Sequence, residues 1–220
     1  MRVIVSTLGI LLAVGGLDHG LFEALQGNAP TPGLLIRAIG PRQQMWTYGT
    51  EDAFTLLPTF LLSGIASIVL SLLIAVWAVG FVHRKHGSLV FLILSVLLFL
   101  TGGGVAQVVY FTLAFAVSLH IHKPVVWINQ LLPKRSRGAF GRLWPGCLAA
   151  FTLLSAAALE IAITGYAPGL HSPGLVLHFC WSLLAVGLCI LLLGIASGFV
   201  HDAIPGSQCP AVSALPLKRL

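Results

Sequence analysis

His19 and Glu23 stand four residues apart in the apolar stretch GGLDHGLFEAL (15–25), with Asp18 beside them. Residues four apart share one face of a helix, so an imidazole and a carboxylate would point the same way, and Asp18 would point partly aside. Ionisable groups inside a spanning helix are costly, face a bundle interior or a cavity, and mark proton or ion paths. Glu160 and His178 lie in two later apolar stretches. His19, Glu23, Glu160 and His178 are the residue types that ligate a divalent cation. The same groups could relay protons, or a buried carboxylate could serve as a general acid. The plainer alternative is that all five side chains hydrogen-bond to one another and hold helices together. No HxxxH or HExxH spacing is present, so the pattern by itself singles out no metal.

The elements that must carry these residues follow from hydropathy. The chain has 220 residues, of which 57% are hydrophobic and 8% charged. Soluble domains carry about 25% charged residues, and the mean hydropathy of +0.98 excludes an ordinary water-soluble surface. A spanning helix needs about 20 apolar residues. Residues 3–25, 54–82, 145–167 and 174–201 meet that length, which predicts an all-α, polytopic membrane helix bundle. The N-terminal run resembles a signal peptide, but it continues past Asp18 and lacks an A-x-A site, so a retained first helix is expected.

Residues 88–121 are too long for one ordinary span and too short for two. Thr101-Gly102-Gly103-Gly104 interrupts them, and each glycine weakens a helix by about 1 kcal/mol relative to alanine. Either the segment is re-entrant, with Gly102, Gly103, Gly104 and Gln107 lining a path at its tip, or it is one long, kinked span. Charge asymmetry favours re-entry. Arg2, Arg84, Lys85, Lys123, Lys134, Arg135, Arg137, Arg142, Lys218 and Arg219 then share the cytoplasmic side with both termini, leaving Arg37 and Arg42 outside. Irregular backbone at membrane depth must be covered by protein or line a water-filled cavity.

The net charge of +6 is thereby read as a membrane-orientation signal in an inner membrane, not as a nucleic-acid footprint. Residues 27–52 form an outer loop with a short amphipathic stretch near Trp46 and Tyr48. Glu51 and Asp52 are expected to complement the N-terminal dipole of the second long helix. Residues 123–144 form a basic interfacial segment, and 205–220 a loose tail. The cysteines (Cys147, Cys180, Cys189, Cys209) read as small packing residues, and His83, His86, His120, His122, His201 and Asp202 as inner-end groups.

The 1.5 Å rise per residue puts Asp18 and Glu160 each about 22 Å from the inner side. His178 lies about 24 Å up a core about 30 Å thick. The sequence therefore predicts one polar layer in the outer half, built from three helices. Three functions suit it: a small transporter or permeation protein for a cation or cationic solute, a membrane-embedded enzyme acting on a lipid or isoprenoid, or an accessory subunit whose polar layer is structural. The bilayer is the expected partner, with a second copy or another membrane subunit as the protein partner and a divalent cation as the candidate cofactor.

Overall fold

The computed structural model describes residues 1–123, 125 and 133–204. The elements run α1 (Arg2–Leu25), β1 (Leu35–Arg37), β2 (Asp52–Thr55), α2 (Phe60–Gly80), α3 (Gly87–Leu100), β3 (Thr101–Gly104), α4 (Gln107–Ser118), α5 (Lys134–Phe140), α6 (Trp144–Thr164) and α7 (Pro173–Asp202). Among the described residues, four helical stretches are long and apolar enough to cross a membrane: Arg2–Leu25, Phe60–Gly80, Arg135–Thr164, in which α5 runs into α6, and Pro173–Asp202.

α1 and α2 form the closest pair, and small residues make that possible. A β-carbon added to Gly20 would lie 2.8 Å from the Gly64 carbonyl oxygen, and one added to Gly64 would lie 2.5 Å from the Ala24 nitrogen. Gly9 meets Ala78, and Gly16 meets Ser71, in the same way. Backbones approach this closely only where side chains are absent or minimal, the usual device of helix pairs in membranes. α2 starts late because Pro58 disfavours helix at the residue before it. Thr59 then caps the helix, its hydroxyl accepting from the Leu62 amide at 3.4 Å.

The glycine run ends α3 and becomes a strand. β3 pairs antiparallel with β2 (Ala53 with Gly104, Thr55 with Thr101), and β2 pairs with β1 (Leu35 with Phe54, Ile36 with Ala53, Arg37 with Asp52). The broken backbone is thus satisfied by a small three-stranded sheet. The sequence pattern did not foresee these strands, and the structure has no helix near Trp46 and Tyr48, where turns occupy the loop.

α3 and α4 are about 21 and 18 Å long at 1.5 Å per residue, each short of the ~30 Å hydrocarbon core. They form a hairpin: His122 Nε2 donates to the His83 carbonyl at 2.8 Å, bringing its two open ends together away from the sheet. Ile4, Leu8 and Leu12 of α1, Ile74 and Ala78 of α2, Phe91 and Leu98 of α3 and Phe111 of α4 form the main core, joined by Phe151 of α6 and Leu191 of α7. The outward faces are apolar as well, as at Val76, Leu153 and Trp181. Of the cysteines, Cys180 is buried, Cys147 half-buried and Cys189 exposed, so the packing role expected of all of them fails at Cys189. Cys209, the tail 205–220 and residues 124 and 126–132 of the basic segment fall outside the described residues.

Candidate functional site

The sheet caps the end of the bundle where α1 finishes and α2 begins, and the candidate site lies directly beneath it. His19 is 3% exposed, and its Nε2 lies 2.9 Å from Glu51 Oε2. Gly104 makes room for the ring, since a β-carbon there would lie 2.6 Å from His19 Nε2. Glu51 arrives from the loop before β2. Its carbonyl accepts from the Ala38 amide at 2.9 Å, and the neighbouring Thr50 hydroxyl donates to the Ile39 carbonyl at 3.0 Å.

The Glu51 side chain is half-exposed, and the surrounding chain partly desolvates its carboxyl. Burial pushes its carboxyl up, but the hydrogen bond with His19 and the charge of that ring outweigh burial and hold it below the ordinary glutamate range. Asp18 is half-buried and within electrostatic reach of both His19 and Glu51. Tyr110 of α4 and Cys180 of α7 lie within electrostatic reach of the Glu51 carboxylate.

One helical turn from His19 towards the sheet, Glu23 is 0% exposed; Ser63 is the hydroxyl in reach of its carboxylate, although neither oxygen meets full hydrogen-bond geometry. Its surroundings are nevertheless polar. Glu23 Oε2, Ser63 Oγ and Ser67 Oγ all lie within 2.7 Å of where a β-carbon on Gly102 would sit. Gly102 takes φ +128, a conformation open to glycine and strained for other residues. Ser63 and Ser67 donate to the Thr101 carbonyl at 2.7 and 3.0 Å. Thr55 Oγ1 lies 3.0 Å from Ser63 Oγ and accepts from the Leu57 amide at 3.1 Å.

Ser71 continues the row one turn further along α2, buried and without a partner, against Gly16. There the polar column stops. Leu8, Leu12, Ile74, Ala78, Phe91 and Leu98, none more than 3% exposed, fill the interior beyond it. The arrangement is a buried polar column at the sheet end of the bundle: Glu23 lies among Ser63, Ser67 and Gly102, His19 with its partner Glu51 lies one helical turn deeper, Ser71 lies deeper still, and apolar side chains follow.

The structure thus brings together Asp18, His19 and Glu23, with Gly102 and Gly104 packed against them. Gly103 faces the α3 backbone at Leu98 and Phe99, and Gln107 faces Gly15. Glu160 and His178 do not join, contrary to the expected layer of three helices. Cys180 Sγ donates to the Ala158 carbonyl at 3.4 Å, which sets the register of α6 against α7. Glu160 is two residues after Ala158 and His178 two before Cys180, a rotation of about 200° in each case. Both therefore lie on the backs of their helices, exposed. His178 Nδ1 donates to the Gly174 carbonyl at 2.6 Å.

The four-residue set proposed for a divalent cation accordingly does not converge. Among the described residues no three His, Cys, Asp or Glu side chains form a metal-holding group. Glu51 corrects a second expectation: α2 begins at Phe60, so this carboxylate serves His19 and not the helix dipole. Ser63, Ser67, Ser71 and Thr55 were not singled out from sequence. The available signal was serine at every fourth position of a strongly apolar helix.

No protein-family model matches this chain, and no curated protein and no solved structure matches it.

Proposed function

We propose that this chain is an integral membrane protein that admits a small cation to Glu23 from the side of the sheet, as a small transporter or permeation protein. One observation carries the reading: the carboxylate of Glu23 is fully buried at the sheet end of α1 with neither oxygen in full hydrogen-bond geometry, one helical turn from His19 and its half-exposed partner Glu51. An unpaired buried carboxylate is costly, and a bundle packed this closely around it keeps such a group where it has a ligand to hold.

In this reading the sheet end faces outward. The α3–α4 hairpin enters and leaves on the opposite side, where Arg2, Arg84, Lys85 and Lys123 lie, in keeping with the positive-inside rule. The glycines form the tip of a re-entrant element, covered by β2 as irregular backbone at depth requires. The exposed apolar faces of α2, α6 and α7 meet the bilayer, and Glu160 and His178 lie within about 8 Å of the outer helix ends, where such groups reach the interface.

Proteoliposomes test this. Under an imposed potential the full chain is expected to pass protons or a monovalent cation, and Glu23→Gln, folded and monodisperse, to stop that flux. Equal flux in the two proteins would overturn the assignment of Glu23.

A further inference from the structure

We infer that the end of the bundle opposite the sheet binds an anionic glycerophospholipid, its phosphate among Arg2, Arg84 and Lys123 and its acyl chains along α2. The inference rests on the membrane reading above and not on Glu23. Three separate parts of the chain bring the cations together. Arg2 opens α1, Arg84 lies in the turn between α2 and α3, and Lys123 follows α4. Arg2 Nη2 donates to the Val79 carbonyl at 3.1 Å, which lays the guanidinium over the end of α2. His122 Nε2 donates to the His83 carbonyl at 2.8 Å, which draws the neighbouring Lys123 towards the same turn.

These charges meet nothing of opposite sign. All three side chains are exposed, and among the described residues none is in an ion pair with a carboxylate. Asp18, Glu23, Glu51 and Asp52 lie towards the sheet. Asp202, at the basic end, is engaged by the Met1 nitrogen at 2.8 Å and by His201 Nδ1 at 3.3 Å. His83 registers the resulting field: burial first, then the charges of Arg2, Arg84 and His122, push its imidazole below the ordinary histidine range. Its Nδ1 is buried without a hydrogen-bond partner. A guanidinium carries five N–H donors in a planar fork that matches phosphate oxygens, and Arg2 commits one of them to Val79. The surface below the cations is apolar. Val76 and Val79, three apart on one face of α2, are exposed, as are Val3 beside Arg2 and Phe81 at the start of the turn. A cationic ledge above an apolar wall fits an amphiphile, because a free phosphate would leave the wall unused.

The test titrates the full chain, in a neutral detergent, with phosphatidylglycerol, with phosphatidylcholine and with glycerol phosphate. It reads the lipid retained per protein and the titration of His83 by nuclear magnetic resonance, its signal identified by its loss in His83→Gln. Saturable binding of phosphatidylglycerol is expected, weakened about fivefold by each of Arg2→Gln, Arg84→Gln and Lys123→Gln, the worth of one basic residue near an anionic surface. Arg42→Gln, on the sheet side, should leave it unchanged. Binding should also weaken as salt is raised, and His83 should titrate at higher pH with phosphatidylglycerol than without. Equal retention of the two phospholipids, an affinity that ignores salt, or one unchanged in the three variants would overturn the site. Glycerol phosphate that moves His83 as strongly as phosphatidylglycerol at equal concentration would overturn the lipid assignment. Neither readout needs flux, so loss of phosphatidylglycerol binding with Glu23-dependent flux intact fails this inference alone, and the reverse result fails only the assignment of Glu23.

Discussion

Replacing Glu23 with methionine should make the protein more stable. A residue kept for packing loses stability when it is changed, whereas one kept for a ligand is often held at a cost to the fold. Glu23 is completely buried, and at least one of its oxygens stays without a donor whether or not the group is protonated. A buried, unsatisfied polar group costs about 1–3 kcal/mol. Methionine is similar in length, unbranched and adaptable to irregular space, so it relieves that cost while Ser63 and Ser67 keep their bonds to the Thr101 carbonyl. For chains of 150–250 residues 1 kcal/mol moves the thermal midpoint by about 2–4 °C, which gives an expected rise of roughly 2–12 °C. The assay is thermal unfolding in detergent, followed by the fluorescence of the five tryptophans. A fall in midpoint of similar size would refute the reasoning, because it would make the carboxylate part of what holds α1 to α2.

Other expectations follow from the same geometry. Glu51 titrates below its ordinary value in the folded protein, so its contribution to stability is complete above about pH 4.3. That contribution is lost as pH falls through the lower, folded value. Thermal midpoints measured from pH 7 down to 3 should show an acid-side loss in wild type that is reduced in Glu51→Gln. Gly64→Ala inserts a methyl 2.5 Å from both the Ala24 nitrogen and the Gly20 carbonyl oxygen, and backbone cannot yield as a side chain does. It should cost at least the 1–3 kcal/mol typical of overpacking, whereas Gly80→Ala, which meets nothing within 4 Å, should leave the midpoint unchanged or slightly raised. Glu160→Gln and His178→Gln alter exposed side chains and should stay within about 0.5 kcal/mol of wild type, with flux unaffected.

The long helices were legible because their apolar runs are long and unbroken. α1, α6 and α7 begin and end within one to three residues of where hydropathy puts them. The glycine run was legible as a break, but not as a strand. β1 and β2 have three and four residues, too few to show alternation, and β3 exists only through its pairing with a segment some fifty residues earlier. α2 was expected six residues too early because apolar residues 54–57 continue its pattern. Pro58 and Thr59, a helix stop and a cap, were the clue that went unused. For the site, the rise per residue gave Glu160 and His178 a depth, but depth says nothing about rotation. Which face of α6 turns inward is decided by its contact with α7 through Ala158 and Cys180, a tertiary fact. His19 and Glu23 were found because four-residue spacing is local. Glu51 was misassigned because its partner lies thirty-two residues away.

The account stands most directly on which side Glu23 is reached from. With the native cysteines replaced, Glu23→Cys in oriented vesicles should react with a membrane-impermeant thiol reagent applied on the sheet side, more slowly than Glu51→Cys, and should stay unmodified when the reagent is applied on the side of Arg84 and Lys85. Modification from the Arg84 side first would contradict it, because Glu23 would then be reached past Leu12, Ile74 and Leu98 and not from the sheet.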